Sequence, residues 1–226
     1  SFYISVLGYK SDLYKKFWPP DAQFMAKEIL WFHCVILPAL LLSAKITPLP
    51  KKIFAHGWLT VNGQKMSKSV GNVVDPLHLV KKYGVDALRY YLLREIPFGE
   101  DGDFSEEALK VRVNTELNND LGNLVSRVLT LVEKNFPTLK KCAIDKKLEK
   151  AFDLKKIQTS IDQFAFHVAL SDIWKYINDV NRHINQEKPW ELQGSELQKH
   201  LYTMVEALRI IAIVASPFIP ETAEKI

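Results

Sequence analysis

Two lysines and two serines lie together in the stretch Lys65-Met66-Ser67-Lys68-Ser69. Gly63 and Gly71 lie on either side, where the backbone can change direction. Lysines three apart on a short loop can close together on a polyanion, and serine hydroxyls can hydrogen-bond its oxygens. Such a loop suits phosphoryl chemistry in which negative charge develops on an α-phosphate and on departing pyrophosphate. We expect the chemistry here; the alternative is a solvated surface loop.

The segments on both sides of this loop are expected to position it. Residues 53–61 are apolar, aromatic and β-branched, which predicts a buried strand, and Asn62-Gly63 favours a tight turn with positive φ. Beyond the loop, Asp75 can cap a helix that begins at Pro76. Gly84 is a suitable end for that helix, and a second short helix is predicted over residues 86–95.

The loop and the residues that follow it resemble a known family. The run Lys65-Met66-Ser67-Lys68-Ser69-Val70-Gly71-Asn72-Val73-Val74-Asp75-Pro76, followed by Tyr83-Gly84-Val85-Asp86-Ala87-Leu88-Arg89-Tyr90, is similar to the signature loop of class I aminoacyl-tRNA synthetases. It resembles the branch for methionine, isoleucine, valine and leucine. The resemblance implies that Lys65 and Lys68 are catalytic, that Lys65, Ser67 and Lys68 bind ATP, and that Mg²⁺ accompanies the ATP.

Composition and length are those of a globular protein. At 226 residues and 47% hydrophobic, the chain is long enough for one large domain or two modest ones. A formal net charge of +4 is compatible with a polyanionic partner but does not require one. The cysteines, Cys34 and Cys142, form neither a disulfide framework nor a zinc-ligand pattern, so a reducing, cytoplasmic location and no metal site are expected.

The most apolar stretch, residues 29–42, is shorter than the roughly 20 residues that cross a bilayer. It predicts a core helix kinked at Pro38 and no membrane association. The acidic residues 100–104 could bind a metal, but they match no EF-hand and are more typical of a solvated loop. No secretory signal is expected, and the beginning of the chain suggests the middle of a strand in a piece of something longer.

Residues 1–64 alternate strand and helix, which is typical of a parallel sheet covered by helices. By resemblance they form the second half of a Rossmann-type nucleotide-binding domain, and His33 lines the amino-acid pocket; a lone His in an apolar helix is otherwise more often a core residue. Ala26, Glu28 and Leu37 depart from the usual methionine pattern. The first half of the family's ATP site, with its H-x-G-H signature, does not occur, so the chain alone is expected to be inactive.

Everything after Ser105 is helical in pattern. Ser105 is a predicted N-cap of a long helix whose apolar stripe recurs at three- and four-residue steps and whose end is expected at residues 135–137. The stripe consists of Leu109, Val113, Leu117, Leu121, Leu124, Val128 and Val132. The predicted fold class is therefore α/β followed by all-α. Its domains are the Rossmann-type half with the KMSKS loop (residues 1–74), a connector (75–113) and a truncated helical bundle (114–226).

A polar stripe and an aromatic corner are the candidate recognition residues of the bundle. Asn119, Asn123 and Arg127 are four residues apart on the face opposite the apolar stripe. Their side chains could hydrogen-bond to base edges, or the face could simply be exposed to solvent. Pro189 and Trp190 end a helix before Gly194, so the indole could stack on an unpaired base or act as a packing staple. These five residues match the anticodon-binding bundle of methionyl-tRNA synthetases.

The resemblance implies a fragment of a methionine–tRNA ligase, which joins methionine to AMP from ATP and transfers it to tRNA(Met). Two alternatives remain open at this point. One is another class I synthetase for isoleucine, valine or leucine, and the other is a non-catalytic tRNA-binding protein.

Overall fold

The computed structural model describes residues 2–67, 69 and 71–226. Two compact units divide the chain: Ser1–Leu59 with Gly99–Gly102, and Thr60–Phe98 with Asp103–Ile226. The α-helices are α1 Phe2–Leu7, α2 Asp12–Phe17, α3 Leu37–Ser43, α4 Pro76–Tyr83, α5 Val85–Glu95, α6 Glu106–Arg112, α7 Asn123–Asn135, α8 Lys146–Ala151, α9 Leu154–Asp162, α10 Phe166–Glu187, α11 Gly194–Ala215 and α12 Pro220–Lys225. The strands are β1 Gln23–Ala26, β2 Ile53–His56, β3 Leu59–Val61, β4 Gln64–Lys65 and β5 Gly102–Phe104. The division into domains at residues 74 and 113 stays a prediction.

The first unit is built on a parallel strand pair. β1 and β2 pair in the register Gln23 with Ile53 through Ala26 with His56, and the chain crosses between them through helical segments. This is the parallel α/β arrangement that the alternation predicts. The expectation of a strand at the beginning of the chain is wrong, because residues 2–7 form α1. A short apolar run does not distinguish a strand from a helix by its pattern.

The apolar stretch is helical but is not a core helix. It consists of a 3₁₀ turn Lys27–Ile29, a π-helical turn Phe32–Ile36 and α3, with Pro38 at the beginning of α3. Pro38, which has no N–H to donate, lies just after the π-helical turn inside this uninterrupted helical stretch. Leu41 is buried, whereas Trp31 and Leu40 are more than half exposed. The prediction of a helix is confirmed, and the prediction that it is buried is wrong for this chain.

The predicted strand over residues 53–61 is divided into β2 and β3. A Cβ atom at Gly57 would lie 2.1 Å from the main-chain oxygen of Glu100, so only glycine permits this approach. After the break, β3 and β4 form an antiparallel hairpin, and β5 adds on the other side of β3. Asn62 and Gly63 have φ of 53° and 70°, which confirms the predicted tight turn.

The two helices after the loop begin and end as predicted. The Asp75 carboxylate accepts a hydrogen bond from Leu77 N at 2.9 Å, Pro76 is the first residue of α4, and Gly84 follows it with φ of 88°. Pro76 therefore starts the helix and Gly84 allows the turn into α5.

One continuous helical stretch runs from α6 to α7 through a π-helical segment, Val113–Gly122. Ser105 caps it by accepting a hydrogen bond from Ala108 N, and it ends at Asn135, as predicted. Four members of the predicted apolar stripe are fully or almost fully buried and three are half-buried. The buried four are Leu109, Leu121, Leu124 and Val128. The π-helical segment was not predicted.

The core of the second unit lies between this long stretch and α5, α10 and α11. Tyr90 of α5 is fully buried, and its ring centroid lies 4.4 Å from that of Trp174 on α10. α10 and α11 each contribute a long buried face, and α12 follows them. Phe164 precedes α10 in the left-handed conformation, with φ of 60°. No helix of the described chain is long and apolar enough to cross a membrane.

A charged network joins α5 to the π-helical segment. Glu116, whose side chain is 13% exposed, accepts hydrogen bonds from Tyr90 Oη at 2.6 Å and Arg112 Nη1 at 2.8 Å, and Arg94 Nη2 lies 3.4 Å away. Burial, and next the hydrogen bond to Glu116, raise the pKa of Tyr90, which therefore stays a neutral donor. Arg112 also donates to Glu95 at 2.6 Å. The network fixes the connection between the helices that follow the lysine loop and the bundle.

Candidate active site and nucleic-acid interface

Asn72 closes the lysine loop by hydrogen bonds to its main chain. Its Oδ1 accepts from Ser67 N at 2.8 Å, and its Nδ2 donates to Lys65 O at 3.2 Å. Gly71, with φ of 72°, donates from its N–H to Ser67 O at 3.1 Å. These three hydrogen bonds join residues within the loop, so its closed shape depends on local contacts and not on the core.

The predicted ATP-binding side chains lie on this loop. Lys65 is exposed at the end of β4, and the hydroxyls of Ser67 and Ser69 are 2.7 Å apart. Lys68 and Val70 lie outside the described residues. The exposure of Lys65 and the hydroxyl pair leave this side of the loop polar and accessible to a phosphate group.

Asp103 fixes the hairpin that leads into the loop. Its carboxylate accepts from Thr60 Oγ1 at 2.7 Å and from Gly63 N at 2.9 Å, and these hydrogen bonds lower its pKa. Asp101, in the other unit, accepts from Lys27 Nζ at 2.6 Å and from Trp58 N at 2.7 Å. Two of the three carboxylates in the acidic stretch, those of Asp101 and Asp103, thus have structural partners, and both residues are exposed, as expected for a solvated loop.

His33 lies in the π-helical turn of the first unit and is half-buried. Its Nδ1 donates to Ile29 O at 3.0 Å, since a carbonyl oxygen can only accept. In the neutral ring Nε2 is then the acceptor. Its assignment to the amino-acid pocket stays a prediction.

The polar stripe faces away from the core, as predicted. Asn119 and Asn123 are exposed, and Arg127 is half-exposed. Arg127 Nη1 donates to Asn185 Oδ1 on α10 at 2.9 Å, which orients the guanidinium toward the groove between α7 and α10. One turn away, Asn181 Nδ2 donates to Asp120 O at 3.0 Å. The stripe is therefore one side of a polar seam between two helices.

Trp190 is presented to solvent at the turn between α10 and α11. Lys188 ends α10 in the left-handed conformation with φ of 43°, and Pro189 is buried beneath the turn. The Trp190 side chain is 55% exposed, which contradicts the buried-staple alternative. An exposed indole on a fixed turn is a suitable platform for a base.

Three residues of the site were not predicted as site residues. Asn72 and Asp103 hold the lysine loop and its hairpin, and Asn185 holds Arg127. Asn72 is close to the loop in sequence. Because Asn side chains often hydrogen-bond nearby main-chain groups, its role in closing the loop could have been considered from the sequence. Asp103 and Asn185 have no local signal, because their partners are 40 and 58 residues away.

Replacing Asn72 by Ala is expected to raise the open fraction of the lysine loop by roughly tenfold. The loop would lose two hydrogen bonds, each worth about 1 kcal/mol, and would occupy its closed form less often. Amide hydrogen exchange of the loop measures this opening, and Lys81→Ala, at an exposed residue of α4 outside these bonds, serves as a control for expression and folding. Equal exchange rates for wild type and Asn72→Ala would contradict a role for Asn72.

Comparison with known proteins gives the family. A family model described as tRNA synthetases class I (M) matches residues 2–129, and an anticodon-binding domain of tRNA ligase matches residues 143–226. The chain is 46% identical over 240 residues to the methionine–tRNA ligase of Caldanaerobacter subterraneus, and 44% identical to that of Thermotoga maritima. The alignments cover 100% and 99% of this chain and 38% of each relative. The chain thus spans well under half the length of these relatives.

Solved structures agree with the family given by the sequence comparisons. Mycobacterium tuberculosis methionyl-tRNA synthetase in complex with methionyl-adenylate superposes with a TM-score of 0.90 at 41% identity, covering 99% of this chain and 47% of that one. The free form of the same synthetase gives a TM-score of 0.86. The predicted fold class, α/β followed by a helical anticodon-binding region, is confirmed. The chain belongs to the family of class I (M) tRNA synthetases.

Proposed function

We propose that this chain works within a methionine–tRNA ligase. The reaction joins the methionine carboxylate to the α-phosphate of ATP, releases pyrophosphate and then transfers the methionyl group to tRNA(Met). The observation that carries the proposal is the accessible lysine loop closed by Asn72, in a chain whose curated relatives are named methionine–tRNA ligase. Those names do not favour the isoleucine, valine or leucine alternative, or a non-catalytic tRNA-binding protein.

In this proposal the loop supplies positive charge where negative charge develops. Lys65 and Lys68 interact with the phosphates of ATP, and the Ser67 hydroxyl hydrogen-bonds a phosphate oxygen. Mg²⁺ would bind chiefly to the ATP phosphates, as it usually does where protein ligands are few. His33 in the first unit helps to line the methionine pocket. These roles agree with the exposure of Lys65 and with the Nδ1 hydrogen bond of His33.

The bundle recognises the anticodon in this proposal. Asn119, Asn123 and Arg127 hydrogen-bond to unpaired bases, and Trp190, supported by Pro189, stacks on one of them. The exposure of Asn119, Asn123 and Trp190 supports these roles. The Arg127–Asn185 hydrogen bond supports an oriented rather than a freely rotating guanidinium.

Replacing Trp190 by Ala is expected to weaken binding of tRNA(Met) by roughly 1–3 kcal/mol, the usual contribution of one base–aromatic stack. The melting temperature should be nearly unchanged, because the ring is 55% exposed and its removal leaves no internal cavity. Binding is measured by fluorescence anisotropy with a labelled tRNA(Met), and melting by circular dichroism.

Trp31→Ala is the matched control, since Trp31 is 64% exposed in the other unit. Asn123→Ala and Arg127→Ala should also weaken binding, and an altered anticodon should abolish the differences between these variants and the wild type. Equal losses for tRNAs of every anticodon would reject anticodon recognition at Trp190.

A further inference from the structure

The positive charge of the chain is concentrated in one short stretch. Residues 140–156 contain seven lysines and three acidic residues, so this stretch by itself accounts for the whole formal net charge of +4. We name its first five lysines the lysine patch: Lys140, Lys141, Lys146, Lys147 and Lys150. All five are exposed, and the last three lie on α8.

The segment that carries the lysine patch packs against the last residue of α10 and the first half of α11, the two helices joined by the turn that presents Trp190. Asp145 N donates to Thr203 Oγ1 at 3.2 Å, and Gln198 Nε2 donates to Cys142 Sγ at 3.4 Å. Lys147 Nζ lies 3.8 Å from Glu187, the last residue of α10. Glu187 and the buried Pro189 line the same small cavity. The lysine patch therefore flanks the aromatic turn in space, although about 40 residues separate them in sequence.

Acidic neighbours compensate part of this charge: Glu149 lies on α8 itself, and Lys141 lies close enough to Glu206 to lower the pKa of that carboxylate. Asp145 serves as the N-cap of α8, where its carboxylate accepts from Lys147 N at 2.6 Å. The Lys147–Glu187 pair is long at 3.8 Å. Lys146 and Lys150 form no ion pair with any residue that the structure describes. A face needed only for solubility would more commonly mix both signs of charge.

We propose that the lysine patch binds phosphates of the RNA strand whose base stacks on Trp190. The inference rests on the proposed function, and it adds a sequence-independent contact to the base-reading residues. Ammonium groups on a helix beside an aromatic platform can follow a phosphate backbone while the base is held by stacking. These contacts fix the position of the anticodon arm and carry no sequence information.

The test compares two double variants of the chain that remove the same charge. Lys146→Gln with Lys150→Gln alters the patch, and Lys81→Gln with Lys225→Gln alters exposed lysines of α4 and α12. The probe is a labelled RNA stem-loop with the anticodon arm of tRNA(Met), titrated at several salt concentrations. For the patch variant, the slope of log affinity against log salt should become shallower by about 1.4–1.8, and affinity at 0.1 M salt should fall on the order of tenfold.

The same loss is expected for a stem-loop with an altered anticodon, because phosphate contacts are independent of sequence. A patch variant that matches the control variant in both slope and affinity would overturn the proposal. Trp190→Ala separates this result from a failure of anticodon recognition, since removing the indole should lower affinity without changing the salt slope. Unchanged melting temperatures in both double variants exclude a folding defect.

Discussion

Replacing Lys68 by Ala in the full-length synthetase is expected to lower the rate of methionyl-adenylate formation by roughly 10²–10³-fold, as the loss of one preorganised charge-stabilising group usually does. Lys68 is proposed to meet negative charge that grows on the phosphates as the carboxylate attacks. The effect should therefore fall on the activation rate and leave methionine binding nearly unchanged. Pre-steady-state measurement of adenylate formation separates the rate from the dissociation constant of methionine.

Lys68→Arg tests whether charge alone is sufficient. Arg retains the positive charge but presents a planar fork in place of a compact ammonium group, so partial activity is expected. Lys81→Ala, an exposed lysine on α4, is the matched control and should retain the wild-type rate. If Lys68→Ala activates methionine at the same rate as the control, the role proposed for Lys68 is wrong. The alternative of an ordinary solvated surface loop would then be favoured.

Replacing Glu116 by Ala is expected to lower the free energy of unfolding of the chain by about 3 kcal/mol. Removing one partner from a buried ion pair commonly costs about 3–5 kcal/mol, because the remaining charge is left uncompensated. The lower end applies because Arg112 is 31% exposed and keeps its hydrogen bond to Glu95. Tyr90, fully buried, would also lose the acceptor of its hydroxyl.

Urea denaturation followed by circular dichroism measures this change. Glu107→Ala is the matched control, since Glu107 is 76% exposed and paired with Lys110 at 3.3 Å, a pair worth less than about 1 kcal/mol. Glu116→Gln should be milder than Glu116→Ala, because the amide oxygen can still accept from Tyr90. Equal stabilities of Glu116→Ala and Glu107→Ala would show that the network contributes nothing measurable.

Local residue preferences were sufficient to predict the ends of elements. Asp75 and Ser105 cap helices through their own side chains, and Asn62-Gly63 forms a turn that requires positive φ. Each of these features depends on atoms within a few residues, so the sequence alone determines it. The buried stripe of the long helix follows in the same way from helical periodicity.

Features that depend on distant neighbours could be found only in the tertiary structure. Residues 53–61 break into two strands because the backbone of Glu100 approaches Gly57, and an apolar pattern contains no information on that contact. The apolar stretch over residues 29–42 predicts a helix, but its burial depends on what packs against it. Propensity does not fix such packing.

The proposed functional residues divide in the same way. Residue type and spacing made the lysine loop, the polar stripe and the Trp190 corner candidates, and the resemblance to a known family favoured these sites over a solvated loop, a hydrated face and a packing staple. Only the tertiary structure brought Asn185 to Arg127, Asp103 to the hairpin and the lysine patch to the aromatic turn. Their partners lie 40 to 58 residues away, and such contacts arise from packing of whole helices and strands, which no local pattern encodes.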